Sequence, residues 1–553
     1  MRLLCSSTRK IREFLGPSVP PYAILSHTWG EEEVSYQDMV KGLGQGRGLE
    51  KIEAACKLAE RDEMQYVWVD TCCIDKSSSA ELSESINSMF RWYKDSRVCY
   101  VYLSDLSPSA DIRASLGSCR WTRRGWTLQE LIAPARILFF DQEWNYKGDK
   151  DTLLEVLSST TRIDESVLAH KVLLSTISVA RRMSWAAWRE TTRPEDIAYC
   201  LLGIFGINIP LLYGEGANAF IRLQEEIIRC TCDLSIFAWK GTSKKCNKIG
   251  GRYSGILAEF PDQFQECSNI VRSKEQWFHA DFSVTNRGIR IPISILSLPG
   301  LDVSPEHHAL ALDSRMQGET TTSLGIYLRK CGGDLFVRDH PDRLAMIPPN
   351  PGPVFCLRPV YILAKLPEEL YDAAGGPGAQ DEVQFITRNR VSAVHIVLPS
   401  NLTLFDVDPA SHYDEEDRVI FSTELNHDGW CVLRIRGVIE NSEKCSLRVN
   451  CLFACFGWNR QPKKYFVSTL LDISKCELAQ VNRFLSEASR AENKSLPWIL
   501  DELGDFGFPL QGSVILGGNT GQAGPVKLTH TARKVFRPDI CNSEIYRIEF
   551  YFC

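Results

Sequence analysis

Four short apolar runs, separated by helical patterns, constrain this chain more than any other feature. They are "YAILS" (22–26), "YVWVD" (66–70), "VCYVYLSD" (98–105) and "RILFFD" (136–141). Between the first two, Leu49, Ile52, Ala55, Cys56 and Ala59 recur at helical spacing. Between the second and third, Leu82, Ile86, Met89, Phe90 and Tyr93 form one face of an amphipathic helix. A tryptophan-rich segment supplies another helix before the fourth run. Strands that are apolar throughout, rather than alternating, need cover on both faces, and helical crossovers provide it. The expected fold of this part is therefore α/β, with a mostly parallel sheet.

At 553 residues the chain is too long for one ordinary core. Residues 150 to about 235 read as mostly helical, with "SVARRMSWAAWRE" and "ANAFIRLQEEIIRC" as the clearest patterns. From about 250 onward short β-rich segments recur between turn residues, among them "FSVTNRGIRIPISI", "SAVHIVLP" and "WCVLRIRGV". Such spacing suggests an all-β sandwich or barrel. "DAAGGPGAQDE" (372–382) reads as a flexible loop or linker. The expected division is residues 1–148 (core motifs 22–145), a helical region at 149–240, and a β-rich regulatory or sensor region at 241–553.

Charge and cysteines exclude several classes. A net charge of −6 lacks the basic excess of a nucleic-acid binder. Twenty cysteines invite a disulfide or zinc framework, but "MRLLCSSTRKIREFLG" has no long apolar run for secretion. Cys72-Cys73 and Cys230-x-Cys232 also lack structural zinc spacing. The expectation is a cytoplasmic protein with reduced, mostly buried cysteines and no metal. "IAYCLLGIFGINIPLLY" (197–213) is uncharged but broken by Asn208 and Pro210. It reads as a buried helix followed by a turn rather than a stable membrane span.

In an open parallel sheet, ligands bind beyond the carboxyl ends of the strands. That rule gathers Ser26, His27, Trp29 and Gly30, then Asp70, Cys72 and Asp75, then Ser104 and Asp105. "RWTRRGWTLQELI" (120–132) follows the third strand as one short helical stretch. It carries Arg120, Arg123 and Arg124, Trp121 and Trp126, and Glu130 one turn beyond Trp126. An aromatic face, a carboxylate and nearby guanidiniums suit a nucleotide. Each residue has an ordinary alternative: a loop cap for His27 or Asp70, core packing for Trp29 or Trp126, and a solvated face or ion pair for the arginines and Glu130. There is no GxxxxGK[ST], no GxGxxG after a strand and no GxSxG. The glycine-rich "KGLGQGRGLE" (41–50) reads as a loop.

Taken in order, "PPYAILSHTWGEEEVSYQDM", "YVWVDTCCIDK", "SESINSMFRWYKDSRVCYVYLSD" and "RRGWTLQELIAPARILFFD" closely resemble the heterokaryon-incompatibility (HET) domain of filamentous fungi. The resemblance continues through the helical region, strongly to about residue 240 and weakly beyond it. It implies a role in non-self recognition, in which fusion of unlike hyphae triggers programmed cell death. HET domains are distantly similar to Toll/interleukin-1 receptor (TIR) domains, which implies a flavodoxin-like sheet. Many plant and bacterial TIR domains hydrolyse NAD with a glutamate on the helix after the third strand. Trp126-Thr127-Leu128-Gln129-Glu130-Leu131 stands where plant TIR domains carry a W-C-L-x-E-L-type segment.

The resemblance thus implies Glu130 as the catalytic carboxylate. Beside the strand-end residues Ser26, His27, Trp29, Asp70 and Asp75, Trp29 or Trp126 would then stack on a base or nicotinamide, and Arg120 or Arg124 would meet the pyrophosphate. No cofactor is required, and NAD is the implied substrate. Self-association on activation is expected, with a protein partner or sensor that the sequence does not identify. The alternative is a non-enzymatic adaptor that assembles through its arginine cluster and exposed aromatics, as many animal TIR domains do.

Overall fold

The computed structural model describes residues 1–16 and 18–241, most of 253–366, and chiefly strand segments from 392 to 552. The chain divides into two compact units. One comprises residues 1–247, 252–327 and 338–357, and the other residues 248–251, 328–337 and 358–553.

The first unit is built on a seven-stranded sheet. Its strands are β1 (Arg2–Cys5), β2 (Ile11–Glu13), β3 (Ala23–His27), β4 (Tyr66–Trp68), β5 (Val98–Tyr102), β6 (Ile137–Phe140) and β7 (Tyr146–Asp149), in the order β2-β1-β4-β3-β5-β6-β7. The four anticipated runs form its centre, β4-β3-β5-β6, and pair in parallel. The flanks correct the expectation of a mostly parallel sheet. β1 pairs antiparallel with β2 and β4, and β7 pairs antiparallel with β6, so the sheet is mixed. The edge strands β2 and β7 have no fully buried residue and no apolar run to mark them in the sequence.

Seven helices connect these strands: α1 (Tyr36–Lys41), α2 (Gly46–Arg61), α3 (Asp70–Cys73), α4 (Ser79–Asp95), α5 (Ile112–Ser115), α6 (Arg120–Arg123) and α7 (Thr127–Ile132). α4 starts where the Ser78 hydroxyl accepts from the Glu81 N–H, and it buries Ile86, Met89 and Tyr93 against the sheet. α2 begins earlier than its apolar spacing suggests, and part of the glycine-rich run is its first turn rather than a loop. A Cβ at Gly48 would lie 2.1 Å from the Glu32 carbonyl oxygen, so only glycine lets the helix pack this close to the 32–34 loop.

The helical region holds α8 (Leu154–Thr161), α9 (Glu165–Leu168), α10 (Val179–Ser184), α11 (Asp196–Tyr199), α12 (Leu202–Phe205) and α13 (Asn218–Cys230). The uncharged 197–213 stretch is two short helices followed by non-helical chain. Among the described residues no helix is long and apolar enough to cross a membrane.

The remainder is β-rich. In the first unit, "TNRGIRI" forms a hairpin of Ser283–Thr285 with Gly288–Ile291. The second unit contains a four-stranded antiparallel sheet of Leu402–Asp408, Trp430–Glu440, Ser446–Phe456 and Val467–Asp472. It also contains a six-stranded sheet in which Ser392–Val397 pairs in parallel with Glu544–Phe552. The 372–382 linker lies outside the described residues.

Candidate functional site

In sequence order the four parallel strands are arranged 2-1-3-4, so the connections leaving β3 and β5 diverge. Such a switch point, beyond the carboxyl ends of β3 and β5, is where ligands bind in open α/β sheets. β3 ends in Ser26-His27, both buried, and each anchors a cluster of polar groups.

The first cluster surrounds Glu130, which lies in the first turn of α7 and is only 7% exposed. The Ser26 hydroxyl donates to Glu130 Oε2 and accepts the Trp121 indole N–H at 2.7 Å. Tyr93, from α4, hydrogen-bonds the Leu25 carbonyl at 3.1 Å and also reaches Glu130. Burial pushes the Glu130 carboxyl up to about 8. The bonds from Ser26 and Tyr93 and the charge of Arg124 oppose that rise, and the Asp70 charge adds to it. Near neutral pH this carboxyl is mostly protonated.

The second cluster surrounds Asp70, at the start of α3. His27 Nε2 lies 3.1 Å from Asp70 Oδ1, and the Trp29 indole donates to Asp70 Oδ2 at 2.8 Å. Lys51, buried on α2, places Nζ 3.1 Å from His27 Nδ1 and pairs with Glu33. An ammonium has no lone pair, so His27 Nδ1 accepts and the Nε2–H faces Asp70. Burial works against the Asp70 charge. The bonds from His27 and Trp29 and the nearby Lys76 nevertheless hold its carboxyl below the usual range. The two carboxyls at this rim therefore differ in ionisation, Asp70 charged and Glu130 protonated. Trp29 is 44% exposed, with Lys76 Nζ 3.6 Å from its ring centroid and the Arg120 guanidinium 3.4 Å from its carbonyl. Arg120 is held by its own N–H on Asp105 at 2.8 Å, and Thr28 meets Ser104 at 3.3 Å.

The structure thus gathers Ser26, His27, Trp29, Asp70, Arg120 and Glu130, and three other expected residues go elsewhere. Asp75 serves its own turn, accepting from Ser77 and Gln37. The 120–132 segment is not one helix: it breaks between α6 and α7, with Arg124 extended. That break turns Trp126 toward Asp196, to which it hydrogen-bonds, and Arg124 toward Thr192 at 3.2 Å. Trp121, not Trp126, is the tryptophan of the Glu130 cluster.

Trp121 and Tyr93 read from sequence as part of the tryptophan-rich stretch and of an apolar helix face rather than as site residues, and Lys51 and Arg189 were not singled out. Lys51 left a signal, because it falls in phase with Ile52, Ala55 and Ala59 on the buried face of α2. Arg189 left none. It comes from the turn after α10, is 6% exposed, and donates to the Arg124 carbonyl at 2.8 Å and Thr127 Oγ1 at 3.0 Å. Among the described residues the cysteines are free and mostly buried, and no acid, histidine and thiol cluster could hold a metal.

Residues 22–115 match the heterokaryon incompatibility protein (HET) family. The vegetative incompatibility protein HET-E-1 of Podospora anserina is 42% identical over 306 residues, 51% of this chain and 22% of that protein. The N-terminal part of the chain carries a HET-family region. The chain spans about a fifth of the length of that relative. Residues 218–319 match a domain of unknown function (DUF8212), and no solved structure matches the chain. The HET match contains Ser26, His27, Trp29 and Asp70 but stops short of Trp121 and Glu130. The site therefore joins residues inside the matched block to residues beyond it.

Proposed function

We propose that this chain is a fungal allorecognition effector of programmed cell death that hydrolyses NAD once it self-assembles. The observation that carries the reading is the position of Glu130: a buried carboxyl at the carboxyl ends of a 2-1-3-4 parallel core, bonded to the last residues of the first parallel strand. This is where a flavodoxin-like or TIR-like fold takes its ligand. The name of the Podospora relative supports the incompatibility role.

In this reading Trp29 offers an exposed ring for a base, and Arg120 stands beside it for the pyrophosphate. Glu130 orients the nicotinamide ribose and stabilises its positive charge as the C–N glycosidic bond breaks. Water adds to the ribose carbon, giving ADP-ribose, nicotinamide and a proton. A carboxyl held protonated by burial suits a cationic substrate, because the nicotinamide ring brings the countercharge that favours ionisation. No cofactor takes part.

The burial of Glu130 also favours a second reading, in which the chain is an adaptor and Glu130 a satisfied core residue. One experiment separates them. NAD consumption is measured for the full chain at high concentration beside its Glu130→Gln variant, with assembly followed by light scattering. NAD loss in the wild type alone supports hydrolysis. Assembly of both proteins without NAD loss refutes it and leaves the adaptor.

A further inference from the structure

We infer that Arg189, carried by the segment beyond the HET match, is a positioning residue of the Glu130 site: it locks the corner between α6 and α7 and so holds Trp121 and Glu130 in one cluster. The inference rests on the reading of Glu130 as the working carboxyl.

The corner is tied to residues 189–190 from several directions. The Glu190 N–H donates to the Arg123 carbonyl at 2.6 Å, and the Gly125 N–H to the Glu190 carbonyl at 2.9 Å. Arg189 bonds the Arg124 carbonyl and the Thr127 hydroxyl, and that hydroxyl also reaches the Trp121 carbonyl. Trp121 in turn holds Ser26, which holds Glu130. A chain of contacts therefore runs from Arg189 to the carboxyl, passing within Trp121 from its backbone carbonyl to its indole.

Charge supports the same role. Among the described residues no carboxylate lies within ion-pair distance of Arg189. Burial lowers its guanidinium to about 10, and only ionisation of the Cys200 thiol or the Glu130 carboxyl would act in the opposite direction. Leaving a buried guanidinium without a carboxylate is costly, so its use on a carbonyl and a hydroxyl is a specific arrangement. The other groups that act on Glu130 are Ser26 from β3, Asp70 from α3, Tyr93 from α4 and Cys99 from β5, together with the charge of Arg124, whose guanidinium sits on Thr192. Arg182 provides a control. It is also buried and also braces backbone, donating to the Ile204 carbonyl at 3.1 Å, but its charged neighbours are Asp233 and Arg272.

The test uses the full chain labelled with ¹³C at glutamate side-chain carboxyls, with the Glu130 resonance identified by its loss in Glu130→Gln. Arg189→Met should move the Glu130 titration midpoint, because Trp121 and Ser26 lose the corner that holds them at the carboxyl. Arg189→Lys should restore most of it. Arg182→Met should lower the melting temperature without moving the midpoint. Arg189→Gln keeps a donor for the Arg124 carbonyl and carries the same measurement if the methionine variant does not fold. An unmoved midpoint in the neutral variants, or an equal shift in Arg182→Met, overturns the inference. If the midpoint shifts as expected while no protein consumes NAD, the positioning role stands and hydrolysis falls.

Discussion

Gly125→Ala adds one carbon at the corner between α6 and α7, and its cost can be worked from the structure. A Cβ there lies 2.5 Å from Thr191 Cγ2 and 3.1 Å from Cys200 Sγ, both well inside contact distance. Gly125 does not occupy the left-handed region, so alanine is not strained in itself and the whole effect falls on the 189–191 segment. Overpacking of this kind costs about 1–3 kcal/mol. If the segment lifts away instead, the two backbone bonds between Glu190 and the corner are lost, at about 0.5–1.5 kcal/mol each. Both routes give a similar loss. A body of more than 250 residues shifts by less than roughly 2–4 °C per kcal/mol, so the melting temperature of the full chain should fall by about 2–6 °C. Thr191→Ala removes the nearer obstruction, so Gly125→Ala made in that background should recover at least half of the loss. Differential scanning calorimetry of the four proteins reads both effects. A Gly125→Ala protein as stable as the wild type, or no recovery in the double variant, would refute the packing of 189–191 onto the corner.

Two further outcomes concern pH. The Glu130 carboxyl is raised to about 8 in the folded chain, so the folded state holds a proton that the unfolded state releases near 4.5. Its contribution to stability is full below about 4.5 and is lost as pH rises through about 8, at up to about 1.4 kcal/mol per pH unit. Urea melts across that window should show the decline in the wild type and a flatter profile in Glu130→Gln; parallel profiles would show that Glu130 is ionised throughout. Asp141 is the opposite case. Burial opposes its charge, but the N–H groups of Asn145 and Glu143, the Asn145 amide and Lys147 hold its carboxyl below the usual range. That support is present above the unfolded carboxyl range and is lost as pH falls through the lowered folded value. Asp141→Asn should therefore destabilise the chain by about 2 kcal/mol at neutral pH, and the difference should close on acidification. A difference that persists in acid would mean that shape, not charge, holds the β6–β7 turn.

Local chemistry determined much of this molecule. A strand buried on both faces must be apolar throughout, so β3, β4, β5 and β6 were legible as runs, and the helices between them as periodic faces. The rule that ligands sit beyond strand carboxyl ends then brought Ser26, His27, Asp70 and Glu130 to one rim, and the HET resemblance was written in the same blocks. What the sequence could not decide was set by contacts between distant segments. The antiparallel flanks β2 and β7 are held by pairing rather than burial, and pairing leaves no mark on composition. The break after Arg123 is not signalled by Arg124 or Trp126. It exists because Glu190 supplies the backbone partners that a continuing helix would have satisfied, and it exchanges Trp126 for Trp121 at the carboxyl. The ionisation of Glu130 is likewise a property of its surroundings. The same carboxyl in water would be charged, and burial beside an ionised Asp70 keeps its proton in place against the bonds from Ser26 and Tyr93.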